Sequence, residues 1–215
     1  MDNLIEKLKE FKENINGESK FDDIQKQFEE LAPIFLYGGY IKVRDDYKVY
    51  IRTVEFYFHS EKDNGIHDPI VYHRNGRDLK DVPYFPLMSL HAHNSGFDIT
   101  FEKVGEYRAS ALIRSYEVKD NNGMFLVWNK EKKFFEESKK YGYNNQSTYL
   151  YTLLNGFALG NNNDITWEPE TRVQTKYITH KTRKNVLKSE SDFVYKKIIG
   201  EKCTREWSFT REEEI

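Results

Sequence analysis

Cysteine is almost missing from this chain. A single Cys203 in 215 residues excludes any internal disulfide and suits a reducing compartment. No run of about 18 apolar residues occurs, which argues against a membrane-spanning helix. The opening stretch MDNLIEKLKEFKENI is charged and amphipathic and lacks the apolar centre of a signal peptide, so the cytoplasm is the expected compartment and no membrane partner is expected. Neither sign of charge dominates: 33 basic residues meet 35 acidic ones, for a formal charge of -2. Bulk charge therefore does not drive the chain onto nucleic acid, although a local basic patch remains open. There is no P-loop, no GxGxxG and no GxSxG. Repeats, low-complexity tracts and linkers are also lacking, and the length fits one domain over 1–215.

Aromatic residues are plentiful, at 15% of the chain, as core packing or a base-stacking pocket requires. Leu4, Ile5, Leu8 and Phe11 recur at helical spacing and predict a helix over 2–14, ended by Asn16-Gly17. A second helix is expected from about Asp22 to Leu31, stopped by Pro33, so the helical segment spans about 1–32. FLYGGYIKVR and then YKVYIRTVEFYFH read as strands about a turn at Asp45-Asp46. In the second, Val49, Ile51, Thr53, Glu55, Tyr57 and His59 should share one face, and Tyr50, Arg52, Val54, Phe56 and Phe58 the other. Residues 60–86 read as a long ordered loop. Further strands are expected over 87–93, 97–103, 109–118, 124–128, 173–179 and 204–210. Helices are expected over 129–141, from Ser147 to Phe157 with Ser147 as N-cap, and near 191–198. The class is therefore α+β: a mixed, mainly antiparallel β core flanked by helices.

Glu55 is the most informative residue, an acid inside a run of strand formers. A carboxylate turned toward an apolar cleft loses hydration, which suits general-base work or the positioning of a water. An ion pair with Arg52 or with a basic residue of a neighbouring strand, or exposure at a sheet edge, is the structural alternative, and periodicity alone favours it. His91 and His93 are two apart on a strand and point to one surface. They fit a polar ligand, a plain exposed strand, or a metal site completed by Asp98, His73 or Glu55. The loop HDPIVYHRNGR gathers His67, Asp68, His73, Arg74 and Arg77, with His67 read as part of a solvated turn. Arg114 sits in the apolar strand ALIRSYE; if buried it needs an acceptor such as Glu55, and an exposed edge position is the alternative. The basic cluster of Lys181, Arg183 and Lys184 could face phosphate but reads as solvated surface, and Cys203 has no activating neighbour.

Taken in order, these segments resemble the alkyladenine (3-methyladenine) DNA glycosylase family, from about residue 24 onward. FLYGGYIKVR is similar to that family's opening strand, YIRTVEFYFH to its V-E-T-E-A-Y strand, and DPIVYHRNGR to its His-containing loop. SLHAHNSGFDITF is similar to its Y-x-Y…Y-G strand and turn, ASALIRSYEV to V-L-L-R-A-L-E-P, and REWSF to a closing W-R-F strand. The resemblance implies an N-glycosidic-bond hydrolase in which Glu55 activates the water that attacks the sugar C1′ and Arg114 helps hold it. Tyr57, His73, His91 and His93 would then grip the base. No metal and no cofactor is implied. The family's wedge tyrosine has no counterpart, because the turn here is Asn94-Ser95-Gly96. Glu102 stands near the place of a family asparagine. The implied partner is accordingly a nucleobase-containing ligand, with duplex DNA less favoured. The alternatives are a binding protein that keeps the pocket without catalysis, and a metal-dependent hydrolase on His91, His93 and a carboxylate.

Overall fold

The computed structural model describes residues 3–68, 70–73, 79–154, 165–170, 178–183 and 205–212, with the side chains of His73 and Lys80 outside the description. Helix α1, Leu4–Asn14, starts where the Asn3 side chain accepts from the Ile5 N–H, and it buries Leu4, Leu8 and Phe11. Helix α2, Phe21–Tyr37, is longer than the sequence pattern suggests. It runs through Pro33, whose missing N–H and ring clash cost about 3 kcal/mol in a helix interior. Beyond the proline, Phe35 and Leu36 are fully or almost fully buried in the core. Burying two large apolar side chains at roughly 1.5–3 kcal/mol each offsets that penalty. Phe35–Tyr37, expected as the start of a strand, are therefore helical.

Ten strands follow among the described residues: β1 Gly39–Val43, β2 Tyr47–Ser60, β3 Leu90–His93, β4 Gly96–Thr100, β5 Tyr107–Asp120, β6 Phe125–Asn129, β7 Phe134–Ser138, β8 Ile165–Pro169, β9 Ile178–Lys181 and β10 Ser208–Arg211. They join one curled sheet in the order β3-β4-β5-β2-β1-β8, with β10 and β9 attached to β2, and β6 and β7 to β5. Every pairing is antiparallel. The class is α+β, as the pattern of elements implies. No described helix is long and apolar enough to cross a membrane.

The helices cover one face of the sheet. The Phe28 ring stacks on Phe56 at 4.6 Å, and Phe11 meets Phe101 edge-on at 5.1 Å. Val54, Phe58, Ile99, Ala111 and Ile113 complete this core. The expected single alternation through β2 fails at one point. The register with β5 shifts between Ile51 and Thr53 and again between Thr53 and Val54. Such a bulge reverses the phase of every residue beyond it. Val49 and Ile51 thus lie in the helix-covered core, and so do Val54, Phe56 and Phe58. Ile51 is not a face-mate of Glu55.

One expected helix is absent, and another is shorter and of a different type. Residues 129–141 form the β6–β7 hairpin instead. Its turn is built by Asn129, whose side-chain oxygen accepts from the N–H groups of Glu131 and Lys132, and Lys133 takes φ 57°. The lysines and glutamates that look helical are the solvated turn and outer face of that hairpin. The segment from Ser147 is a short 3-10 helix, Ser147–Thr152, preceded by Gln146 as cap. Ser147 does not cap it; its hydroxyl accepts from the Phe97 N–H and ties this helix to β4. Strand β8 has no counterpart among the expected strands. The helix near 191–198 lies outside the described residues, as does most of the strand over 173–179. Among its described residues the long segment 60–86 holds two short 3-10 turns, Val71–His73 and Leu79–Asp81.

Candidate functional site

The sheet face away from the helices carries polar groups almost as deeply buried as the core. Cross-strand pairing places Glu55 opposite Leu112, Tyr57 opposite Ser110, and Asp98 opposite Leu112. Glu55 is 1% exposed. Arg114, two residues beyond Leu112 on β5, brings its Nε to 2.9 Å from Glu55 Oε2. The Tyr57 hydroxyl donates to the same oxygen at 3.2 Å. Burial, reinforced by the Glu55 charge, pushes the Tyr57 phenol well above its ordinary pKa, so it stays protonated and acts as a donor. Arg52, weighed as a partner for Glu55, instead donates to the Tyr141 hydroxyl at 2.5 Å and lies over the Tyr143 ring.

The histidines of β3 flank this cluster. His93 Nδ1 accepts from the Ser95 N–H at 3.1 Å. That contact leaves Nε2 to carry the proton, and Nε2 stands 3.3 Å from Asp98 Oδ2. Asp98 is wholly buried and accepts from the Ser110 hydroxyl at 3.2 Å. The His91 ring packs against Phe85 at 4.4 Å and Tyr72 at 4.9 Å. Burial holds the His91 imidazole below its ordinary pKa despite the pull of Asp98.

The loop after β2 closes over this face. Ile70, Val71, Tyr72 and Leu79 pack with Tyr57 and Leu112. Tyr72 adopts φ 61°, a left-handed conformation that a bulky residue holds only where its surroundings impose it. Its hydroxyl donates to Glu102, which also takes the Phe85 N–H. Burial raises the Glu102 carboxyl, while those two bonds and Arg108 oppose the rise. Asp68 anchors the other end of the loop. Arg183 Nη1 lies 2.6 Å from Asp68 Oδ2, donates to the Phe56 carbonyl, and sits 4.4 Å above the Tyr57 ring. Burial alone would raise the Asp68 carboxyl; Arg183 and Arg205 outweigh it and hold it below its ordinary value.

Glu55, Tyr57, Arg114, His91 and His93 therefore converge on one face. His73 closes the turn Val71–His73 next to that face, but its side chain, like Arg74 and Arg77, lies outside the described residues. Among the described residues no three His, Cys, Asp or Glu side chains gather as a metal site. His67 is half-buried rather than fully solvated, with its ring 5.2 Å from His59. Arg183, read as solvated surface, is buried with its head group on Asp68, because β9 brings it beneath the loop. Asp98 was visible only as a spare metal ligand; an acid within the apolar GFDITF carries the same signal that singled out Glu55. Tyr72 carries no local signal at all. Comparisons with protein-family models, with curated proteins and with solved structures give no match.

Proposed function

We propose that this chain hydrolyses an N-glycosidic bond to a nucleobase, on a divergent version of the alkyladenine DNA glycosylase architecture. The observation that supports the reading best is the Glu55–Arg114 pair, 2.9 Å apart at the centre of a polar sheet face. In this scheme Glu55 takes the proton of a water aimed at C1′, and Arg114 holds both carboxylate and water in line. The anionic face carrying Glu55 and Asp98 stabilises the cationic sugar left as the base departs. Tyr57, His91, His93 and His73 hold the base. The turn Asn94-Ser95-Gly96 offers no wedge. Gly96 has φ 136°, and a Cβ there would clash with the Ser147 side chain, so the turn is pressed onto the 3-10 helix. Base flipping from a duplex depends on such a wedge, which favours a nucleoside or nucleotide over duplex DNA as substrate.

The competing reading is a non-catalytic pocket for a nucleobase-like ligand. It draws on Glu55 Oε2 being engaged by both Arg114 and Tyr57. Base release from alkylated DNA and from purine and pyrimidine nucleosides separates the two. Glu55→Gln should lower turnover by roughly 10²–10⁴-fold while ligand affinity persists. Equal, background-level release by wild type and variant on every substrate would sink the hydrolase and leave the binding protein.

A further inference from the structure

A cavity of about 500 Å³ lies where the two ends of the curled sheet face each other, away from the Glu55–Arg114 pair. Leu90, Ala92 and Ile99 from β3–β4 form one wall, and Ile41, Ile165 and Trp167 from β1 and β8 form the other. The segment from Phe85 to Ser89 closes a third side. That volume falls in the range of small-molecule sites. No Asp, Glu, Lys or Arg lines it. A charged ligand would lose its hydration there without compensation, so the lining selects a neutral one.

Ser89 and Thr166 place hydroxyl-bearing residues in the lining, and His91 adds an imidazole at the rim. His91 lines the cavity, and among the described residues its ring nitrogens hydrogen-bond to nothing. Its neighbours are the rings of Phe85, Tyr72 and His93. Burial keeps the imidazole neutral near pH 7, so it presents one N–H and one lone pair. Met88, also in the lining, holds a left-handed φ of 65°, fixed by its N–H donating to the Thr100 carbonyl. Strained residues of this kind cluster at ligand sites. Phe85 and Trp167 bring aromatic residues to the lining, which suits a flat ligand.

We propose that this cavity binds a neutral, planar heterocycle, with His91 as its hydrogen-bonding contact. Binding here does not depend on catalysis at Glu55. Because no partner fixes the His91 tautomer, 2-quinolinone is a suitable probe: it is flat and neutral, and it carries both an N–H and a C=O. Naphthalene keeps the shape without the polar edge, and quinoline-2-carboxylate adds a charge. In equilibrium dialysis at pH 7.5, 2-quinolinone should bind saturably at one per chain. Naphthalene should bind about tenfold more weakly, the value of one hydrogen bond, and the carboxylate not measurably. His91→Phe should erase the preference for 2-quinolinone over naphthalene. Ala92→Trp should fill the cavity and abolish binding of both, and Glu55→Gln should change nothing. Absence of saturable 2-quinolinone binding would overturn the proposal. So would a preference that survives His91→Phe, a carboxylate that binds as well as 2-quinolinone, or a Glu55→Gln variant that loses binding. A folded Ala92→Trp variant with binding unchanged would also overturn it; should that variant fail to fold, Ala92→Leu, a smaller filling of the same wall, is read in its place and should weaken binding of both ligands.

Discussion

The two faces of the β2–β5 ribbon are made from alternate residues of the same strands, yet they are held together differently. Val54, Phe56 and Phe58 meet the helices through rings and methyl groups. Glu55 and Tyr57, one position away, meet Arg114 and Arg183 through charge and hydrogen bonds. The apolar face tolerates small shifts, because dispersion and burial have no direction. The polar face does not, because each buried group needs its partner within about 3 Å. A face of that kind adds little net stability and instead fixes positions, as a binding or catalytic site requires.

Removing the bulge should break this contrast altogether. Deletion of Arg52, the residue of β2 that the pairing with β5 skips, would draw Glu55 into the aromatic core and put Phe56 among the arginines. No cooperatively folding protein is expected, and a sharp thermal transition with native near-ultraviolet circular dichroism would refute the account. Phe56→Ala comes next. Phe56 is fully buried between Phe28 and Phe35, and its loss should destabilise the fold by about 3–5 kcal/mol in urea titrations.

On the polar face, Arg183→Ala leaves the buried Asp68 charge without its nearest partner, Arg205 being 3.8 Å away. A loss of about 3 kcal/mol is expected. The pH dependence has a definite sign. Asp68 titrates below its reference value of 3.8 in the folded state. Its contribution is therefore fully present above that value and is lost as pH falls through the lower, folded value. Asp68→Asn should flatten the acid limb of the stability curve below about pH 4 and should lower stability at pH 7. An unchanged acid limb would remove Asp68 from the explanation. The smallest effect belongs to Tyr57→Phe, which keeps the ring under Arg183 and removes the hydroxyl that donates to Glu55. About 1 kcal/mol is expected, read from the same titrations.

Much of the fold was legible locally. The 3.6-residue spacing of Leu4, Leu8 and Phe11 marks α1, and the alternation of YKVYIRTVEFYFH marks β2. Glu55 and Arg114 could be singled out because each is charged within an apolar strand, whereas Tyr57 entered as a site residue only through the family resemblance. What was not legible depends on distant contacts. Pro33 reads as a stop until the core offers Phe35 and Leu36 a place. The charges of 130–140 read as a helix until Asn129 closes a turn on its neighbours' N–H groups. Arg183 reads as surface until β9 pairs with β10, itself paired with β2.

By itself, the order of apolar and polar residues determined that this chain would build an antiparallel sheet under two amphipathic helices, with an acid and an arginine on adjacent long strands. Spacing along the chain is a local property, and helices and strands read it directly. The tertiary structure alone decided which face those two residues occupy, because a bulge changes the phase of a strand only when a partner strand has set its register. It also decided that they meet at 2.9 Å, a distance set by the long stretch of intervening chain folding back on itself.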